Sequence, residues 1–536
     1  MNTMRLRSPL PHSVSALTGF AALVLVLAGQ RSTWAHDGPD GQVSHRNNDV
    51  RSQPSANVEW HPAELGEPLY KQGRINTFED STAAVTLRDN STVALRANTL
   101  MIIYGHHALR DKHVIAVGAE LERGALRARL GELEGGQQAV VSTPSAAAEL
   151  AGGNSLLKVD EQGTSRIHNH GDGNAEVAAN KGGRTRLARG MGVKVEVDRR
   201  ASKPIPLPPT PGWVDAPRIF LAVPGHQSEL RGRWAPIAAA NSYFVEVARD
   251  VEGVDVISAV EVPASTQDFE IHGLPVGSYH VRVAAVDADQ FESIPSDALD
   301  LELIAVDLLG PGGVAAAWPE DDATSPRPSV LPGTTFELPP GIRCSGSDGR
   351  LDARPLLLRP GVHEASCEDD QGRPVVAFPI EVVDLGVGLG DTGDLAGEIV
   401  RGQISTHEIR VAPPSGLALP STLHVQAPAG VEVRAVEAVD EGGEPGLWRL
   451  TLLAGPEAPA EVALGLSFVD PAPLGDSSDT VDPRFATVSL RVLEPPAATA
   501  PEPAPERHMV ELGLAGGLLF IAPDHGLYRP STSEHR

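Results

Sequence analysis

The sequence predicts an all-β protein made of several domains in tandem, and three observations support that prediction. Apolar residues alternate with polar residues or glycine in short segments such as 190–197 and 244–248, which is the pattern of half-buried strands. Turn-forming residues recur between such segments about every eight to twelve positions. Helix signals are weak, because glycines interrupt the best candidate, 121–133, and the next best, 146–150, is barely one turn long.

The first element, residues 1–35, has the three zones of a cleavable secretion signal. Arg5 and Arg7 make a basic start, 16–29 is apolar, and Thr33-Trp34-Ala35 places a small residue on each side of a bulky one. The apolar zone is shorter than the roughly 20 residues that a membrane-spanning helix needs. We expect cleavage after residue 35 and export to the periplasm or outer membrane of a Gram-negative bacterium.

Polar and proline-rich breaks divide the rest of the chain. The predicted elements, in order, are a disordered linker (36–56), a first β domain (57–202), a proline-rich linker (203–215), a second β domain (216–306), a looser linker (307–328), a β domain that holds both cysteines (329–384), a β-sandwich (385–493), a proline-rich linker (494–508) and an apolar tail (509–536).

The first β domain resembles the FecR domain. The resemblance covers about a quarter of the chain and runs through segments that match the family motifs in order: 66–69, 73–77, 81–83, 87–91, 98–102, 141–144, 159–164 and 187–192. Two places depart from the family, since Asp89-Asn90-Ser91 replaces Asp-Gly-Ser and Gly152-Gly153-Asn154 stands where Arg-Gly-Thr is usual. The resemblance implies a twisted, β-solenoid-like domain outside the inner membrane, and we expect the motif residues to form turns and core.

The second β domain resembles a fibronectin type III or related sandwich. Segment 233–236 carries a tryptophan expected in the core, and 274–283 matches the corner motif in which a tyrosine, here Tyr279, hydrogen-bonds backwards along the chain. No family is recognised for 329–384 or 385–493. An immunoglobulin-like sandwich is the expectation there from strand count and spacing.

The two cysteines, Cys344 and Cys367, are the only ones in the chain. A pair is expected to close in an oxidising compartment, and a loop of this size would stabilise its domain by about 3 kcal/mol. Two free thiols are the alternative.

The apolar tail contains a segment, 510–520, that alternates like one strand of an outer-membrane barrel. One strand cannot close a barrel. The tail therefore indicates descent from a barrel-bearing relative, a truncated sequence, a strand that adds to another sheet, or a frayed end. It offers a peripheral contact with the outer membrane.

Three histidines are weak candidates for a metal site. After cleavage His36 would be the N-terminus, and its amine and imidazole could chelate copper together with a second histidine such as His45. His168 and His170 lie on the same face of a predicted strand, but no further ligands follow at a diagnostic spacing, so a polar strand and turn is favoured. We predict no metal and no cofactor.

The sequence limits the function of the protein mainly by disfavouring some classes of function. The 44 basic and 70 acidic residues give a net charge of −26, which disfavours nucleic-acid binding. No catalytic motif occurs in a supporting context. We expect a non-enzymatic envelope protein, a structural or adaptor module that binds an envelope protein or peptidoglycan.

Two alternatives remain open. One is a FecR-type signalling sensor linked to a sigma factor or to TonB-dependent transport, although that family's best-known members have a transmembrane helix where this chain has a cleavable signal. The other is a carbohydrate-active or copper-binding secreted protein.

Overall fold

The computed structural model describes residues 38–495 except for 110–113, 131–137, 151–152, 215–216, 224–225, 227, 319–326, 390–396, 415–416, 440–445 and 471–481. The described residues form two compact units. The first comes from Met1–Asp307, Leu338–Cys344 and Ser366–Phe378, and the second from Leu308–Glu337, Ser345–Ala365 and Pro379–Arg536. The predicted signal sequence, the apolar tail and most of the 494–508 linker lie outside the described residues.

The all-β prediction is confirmed. The regular elements of the described residues are strands, apart from one 3-10 turn at Pro311–Gly313. Residues 121–129 of the first rejected helix candidate fall in the strand Val114–Arg129, and the second candidate is the strand Ala146–Leu150. In this part of the chain no helix has the length and apolarity needed to cross a bilayer.

The first β domain extends beyond its predicted bounds of 57–202, to 41–206, and its described residues form seventeen strands. They are β1 (Gly41–Asn47), β2 (Val50–Gln53), β3 (His61–Pro62), β4 (Pro68–Leu69), β5 (Arg74–Thr77), β6 (Thr82–Leu87), β7 (Thr92–Leu95), β8 (Leu100–Leu109), β9 (Val114–Arg129), β10 (Gln138–Ser142), β11 (Ala146–Leu150), β12 (Asn154–Val159), β13 (Ser165–Asn169), β14 (Ala175–Ala179), β15 (Arg184–Leu187), β16 (Met191–Val195) and β17 (Ile205–Pro206).

These strands build two sheets that share one long strand. The first sheet has the order β4-β1-β6-β7-β9-β12-β13-β16-β17, and the second has the order β3-β2-β5-β8-β9-β10-β11-β14-β15. The chain passes between the sheets mostly after every second strand, so it winds like a solenoid. Aliphatic side chains from both sheets meet in one core, in which Val43, Ile75 and Leu126 are fully buried.

Strand β9 changes sheet at Gly124. Residues before it pair with β8 and β10, and residues from Gly124 onward pair with β7 and β12. Gly124 has φ +90°, and a Cβ there would lie 2.4–2.7 Å from atoms of Thr99 and Asn98. Only glycine fits this crossing, because any other side chain meets both an unfavourable backbone angle and a neighbouring backbone.

The predicted hairpin around 88–91 is present as β6–β7. Asn90, in the place of the family's glycine, has φ +63°, a conformation that asparagine tolerates. The Asp89 carboxylate accepts a hydrogen bond from the Ser91 amide at 3.0 Å. The departure from Asp-Gly-Ser therefore leaves the turn intact.

The predicted disordered linker, 36–56, contains two strands instead, β1 and β2. Few of its residues are apolar, so composition favoured disorder. The strands form because Val43 and Val50 are buried in the core and because the backbones pair with β6 and β5 at the edges of the two sheets.

The second β domain is a sandwich, as predicted. Its strands are β18 (Ile219–Ala222), β19 (Glu229–Arg233), β20 (Ser242–Ala248), β21 (Val256–Pro263), β22 (Asp268–His272), β23 (Gly277–Val286) and β24 (Leu299–Ala305). One sheet has the order β21-β20-β23-β24-β18, and β19 pairs with β22 in the other.

Two aromatic residues of this sandwich take the roles that the sequence predicted. Trp234 is buried, with its ring centroid 5.3 Å from that of Tyr243. The Tyr279 hydroxyl donates a hydrogen bond to the Pro275 carbonyl, four residues upstream, which is the tyrosine corner of fibronectin type III-like domains.

The segment after this sandwich consists of short strands. They are β25 (Asp307–Leu309), β26 (Ser329–Val330), β27 (Thr334–Glu337), β28 (Arg343–Ser345), β29 (Leu351–Asp352), β30 (Leu356–Leu357), β31 (Gly361–His363), β32 (Ser366–Glu368), β33 (Pro374–Val376) and β34 (Ile380–Val382). The predicted disulfide is present, between Cys344 and Cys367 at directly opposite positions of β28 and β32. Strand β33 links this hairpin to β18, so the predicted 329–384 domain contributes residues to both units.

The last described region, in the second unit, is another sandwich. Its strands are β35 (Gly386–Leu389), β36 (Glu398–Val400), β37 (Ile404–Ala412), β38 (His424–Gln426), β39 (Val431–Ala438), β40 (Leu447–Ala454), β41 (Glu461–Ser467) and β42 (Ala486–Leu493). They form two four-stranded sheets, β35-β37-β40-β39 and β36-β42-β41-β38. Trp448 and Phe468 are buried in the core of this unit.

Gly124→Ala is expected to lower the free energy of unfolding by about 3 kcal/mol or more, because it adds both a backbone strain and a clash. Gly182→Ala is the matched control, since Gly182 has φ +91° with no atom within 4 Å of the added carbon. Its cost should be only about 1 kcal/mol. Urea unfolding measures both, and equal costs would show that the crossing tolerates a side chain.

Candidate functional site

The contact between the first β domain and the sandwich contains a fully buried carboxylate, Glu292. This residue lies in the connection between β23 and β24 and has no solvent exposure. Arg96, which follows β7, donates to both of its oxygens, from Nη1 to Oε2 at 2.7 Å and from Nη2 to Oε1 at 2.6 Å. The Lys158 ammonium of β12 lies 3.4 Å from Oε2. A bidentate pair with a second cation is the geometry that keeps such a carboxylate charged.

The electrostatics of Glu292 agree with this geometry. Burial alone would raise the pKa of the carboxyl, but the charges of Arg96 and Lys158 outweigh it and hold the pKa well below its usual range. Burial likewise opposes the charge of Arg96, yet Glu292 raises the pKa of that guanidinium. Glu292 and Arg96 are therefore both charged at neutral pH.

A second ion pair lies beside the first. Arg127 of β9 donates to Glu246 of β20 at 2.8 Å, and both side chains are largely buried. Phe244, two residues before Glu246 on the same face of β20, has its ring centroid 3.5 Å from the Arg96 guanidinium carbon, a cation–π contact. This face of β20 is covered by the first β domain, whereas Tyr243 and Val245 point into the sandwich core.

His168 and His170 lie in the same contact. His168 Nδ1 is 3.0 Å from the Leu156 carbonyl, and His170 Nε2 is 3.3 Å from the Glu292 carbonyl. Their other nitrogens, His168 Nε2 and His170 Nδ1, find no hydrogen-bond partner among the described residues. Burial lowers the pKa of His168 to about 3 and that of His170 to about 4, so both imidazoles are neutral at pH 7.

Hydrogen bonds extend the contact around the charged centre. On the β1 side, His45 Nε2 lies 3.0 Å from the Val256 carbonyl, and Asn47 donates to the Ile257 carbonyl at 2.8 Å. On the opposite side, Arg166 donates to the Asp289 carbonyl at 2.8 Å. A largely polar cavity of about 630 Å³ opens beside His45.

Chemically, this arrangement is suited to fixing the orientation of the two domains. The two carboxylates are held by cations, and the two imidazoles are uncharged. Such a cluster holds two domains at one angle, because any rotation separates a buried charge from its partner.

The structure describes two of the three histidines proposed from the sequence. His36 lies outside the described residues. His168 and His170 are in the contact, with ring centroids 6.0 Å apart, and they belong to none of the groups of three metal-ligating side chains found among the described residues. The metal hypothesis for them stays a prediction. His45, the second copper ligand of that hypothesis, lies 2.8 Å from Asp255 and hydrogen-bonds the sandwich.

Sequence reasoning missed two sets of residues. The first is the ionic cluster, whose members are far apart in sequence and carry no motif. The second is Glu229, Glu270 and His272, whose ligand atoms lie within 4.8 Å of one another on neighbouring strands. The alternation of β19 and β22 could have placed these three on one face. His272 and Glu270 already form an ion pair at 2.9 Å within β22, and Arg231 pairs with Glu229 at 3.3 Å within β19, so both are ordinary same-strand surface pairs.

Glu292→Gln is expected to lower the free energy of unfolding by about 3–5 kcal/mol, because it leaves Arg96 and Lys158 buried without a counter-charge. Glu176→Gln is the control, since Glu176 forms a 2.9 Å pair with Arg184 at the surface and should cost less than about 1 kcal/mol. Chemical denaturation compares the two, and similar costs would mean that the cluster contributes no more than a surface pair.

Stability should also fall as pH falls from 6.5 towards 4. The unfolded chain protonates His168 and His170 near 6.5, whereas the folded protein keeps them neutral until about 3 and 4, so the unfolded state binds more protons in this window. Each histidine contributes a slope of about 1.4 kcal/mol per pH unit. His168→Gln should reduce the slope of unfolding free energy against pH by that amount. The same change at exposed His272 is the control, and an unchanged slope in the His168 variant would contradict the assignment.

Comparisons with known proteins found a family match within the first β domain. Residues 73–183 match the family model described as FecR protein. No curated protein matches the chain. Two crystal structures of a candidate anti-sigma factor from Parabacteroides distasonis are similar over 25% of this chain, at 19% and 18% identity and a TM-score of 0.21. This chain spans 59% of the length of that protein.

Two further solved structures are similar over longer stretches. The FN1-FN3 domains of chicken CNTN1 match 50% of this chain and 99% of their own, at 10% identity and a TM-score of 0.15. A Salmonella alpha-2-macroglobulin matches 85% of this chain and 38% of its own, at 11% identity and a TM-score of 0.15. Residues 73–183 thus match a FecR domain, and the sandwich that follows them has the tyrosine corner of fibronectin type III-like domains.

Proposed function

We propose that this protein is an exported, non-enzymatic adaptor of the bacterial envelope, in which the FecR domain and the following sandwich act as one rigid binding body. The observation that carries the proposal is the buried Arg96–Glu292–Lys158 cluster between the two domains. An adaptor must present its surfaces at a fixed angle, and a buried cluster of paired charges favours one angle.

Two features of the chain support the proposed location. A disulfide between Cys344 and Cys367 persists in oxidising compartments, which supports export. The pattern of residues 1–35 supports a secretion signal. The periplasm or the outer membrane is the proposed compartment, and the apolar segment 510–520 supports a peripheral contact with the outer membrane.

The proposed partner is an envelope protein, with peptidoglycan as the alternative. A surface built on sheets and loops suits non-covalent binding. The net charge of −26 disfavours binding to polyanions, so an anionic cell-wall polymer is the less favoured partner.

The test is cross-linking in intact cells followed by purification of the full chain, together with sedimentation on isolated peptidoglycan. We expect an envelope protein to be recovered, and the Glu292→Gln variant to recover less of it than the Glu176→Gln variant because its domains lose their fixed angle. Recovery of neither a protein nor peptidoglycan would refute the adaptor function. Equal recovery by both variants would refute the role of rigidity.

A second candidate is a regulatory role of the FecR type, and the family match at 73–183 favours it. Such a role predicts that deleting the gene changes transcription from a sigma-factor-dependent promoter, and that the protein copurifies with a TonB-dependent receptor. An adaptor without a signalling role leaves that transcription unchanged.

A further inference from the structure

The FecR-domain side of the first unit carries exposed aromatic residues in one region. Trp60 and Tyr70 are each 41% exposed and Phe78 is 36% exposed. Aromatic residues make up only 4% of the chain, and among the described residues these three are the aromatic members of the exposed large apolar side chains. Exposed aromatic groups that cluster rather than scatter mark interaction surfaces.

Strand β2 brings the three together. Its Ser52 pairs with His61, so Trp60 lies beside the end of β2. The Tyr70 amide donates to the Pro54 carbonyl at 2.9 Å, and the Phe78 amide donates to the Asp49 carbonyl at 3.1 Å. All three thus border the stretch 49–54, which spans about 16 Å in extended geometry. We call Trp60, Tyr70 and Phe78, with Arg51 between them, the aromatic patch.

Arg51 gives the aromatic patch a charged centre. It is exposed on the outer face of β2, its guanidinium carbon lies 5.3 Å from the Phe78 ring centroid, and its nitrogen lies 3.5 Å from Asp49. Trp, Tyr and Arg are the side chains that carry most of the binding energy at protein interfaces. Their combination along the exposed border of β2 therefore favours a protein partner.

The three aromatic residues are not members of the buried core. Val50, Leu69 and Ile75, on strands β2, β4 and β5 next to them, are at most 2% exposed. Removing an exposed ring leaves this core intact, so variants of the aromatic patch are expected to fold.

Charge limits what the partner can be. Exposed acidic residues border the aromatic patch near Trp60 and Phe78: Glu59, Glu64, Glu79 and Asp80. Exposed Lys71 and Arg74 lie on the Tyr70 side. With a net charge of −26, a second copy of this chain would be repelled. The acidic border instead favours basic groups on the partner.

We infer that the aromatic patch binds a protein partner whose apolar side chains are flanked by lysine or arginine. This inference depends on the proposed adaptor function and names the partner's chemistry. The apolar groups contact Trp60 and Tyr70, and the flanking cations lie against the acidic border.

The first test uses the mature chain, 36–536, with labelled peptides of alternating Leu and Lys, Leu and Glu, or Ser and Lys. The Leu-Lys peptide is expected to bind most tightly, and Trp60→Ala to weaken it about tenfold or more. Glu59→Gln with Glu64→Gln should weaken binding and reduce its salt dependence. Ile404→Ser and Glu457→Gln, at exposed positions of the second unit, are the matched controls. Equal binding of the three peptides, or no effect of Trp60→Ala beyond Ile404→Ser, would overturn the inference.

The second test places a photo-reactive residue at Gln53 in the full chain in cells, with Glu457 as the control position. The inference expects a protein cross-linked at Gln53, lost with Trp60→Ala, through a segment that is apolar and basic. A protein that cross-links equally from Glu457 or persists in the Trp60 variant overturns the inference while the adaptor function stands. Cross-linking to residues 509–536 or to another copy also overturns it. Absence of any partner at both positions refutes the adaptor function itself.

Discussion

Glu292 is charged and fully buried, and residues of both domains in the first unit compensate its charge. Two cations of the FecR domain meet it, and an aromatic ring of the sandwich covers one of them. An unpaired ion at this position would cost several kcal/mol of stability. The ion pairs of Glu292, rather than a linker, therefore determine the angle between the domains. The two neutral histidines fill the remaining polar space without adding charge.

Much of the fold follows from local patterns. Alternation predicted the strands, Arg88–Ser91 predicted a hairpin, and the motif around Tyr279 predicted a corner, because each depends on neighbours within a few residues. The cysteine pair was predictable since only one partner exists. The strands at 41–53 were not, because they are stabilised by pairing with β5 and β6 and by the burial of Val43 and Val50, and a mostly polar composition shows neither.

Local sequence patterns did not predict the candidate site. Alternation predicted a half-buried strand at 244–248, but a period of two does not say whether another domain covers the face that carries Glu246. Arg96 and Glu292 are 196 residues apart and carry no spacing signal. Likewise the glycine that seemed to weaken a helix, Gly124, is the position where β9 leaves one sheet for the other. These features depend on contacts between residues that are far apart in the chain. A single sequence does not show which distant residues are in contact.

The separation of the cluster's partners has a consequence for biogenesis. Chains are made from the N-terminus, so Arg96, Arg127 and Lys158 emerge well before Glu246 and Glu292. Until the sandwich follows, three cations of the FecR domain remain hydrated and its covered face stays open. A FecR domain that ends at residue 206 would lack the sandwich, so these three cations would form a permanently basic surface. In the complete chain the carboxylates of the sandwich neutralise them.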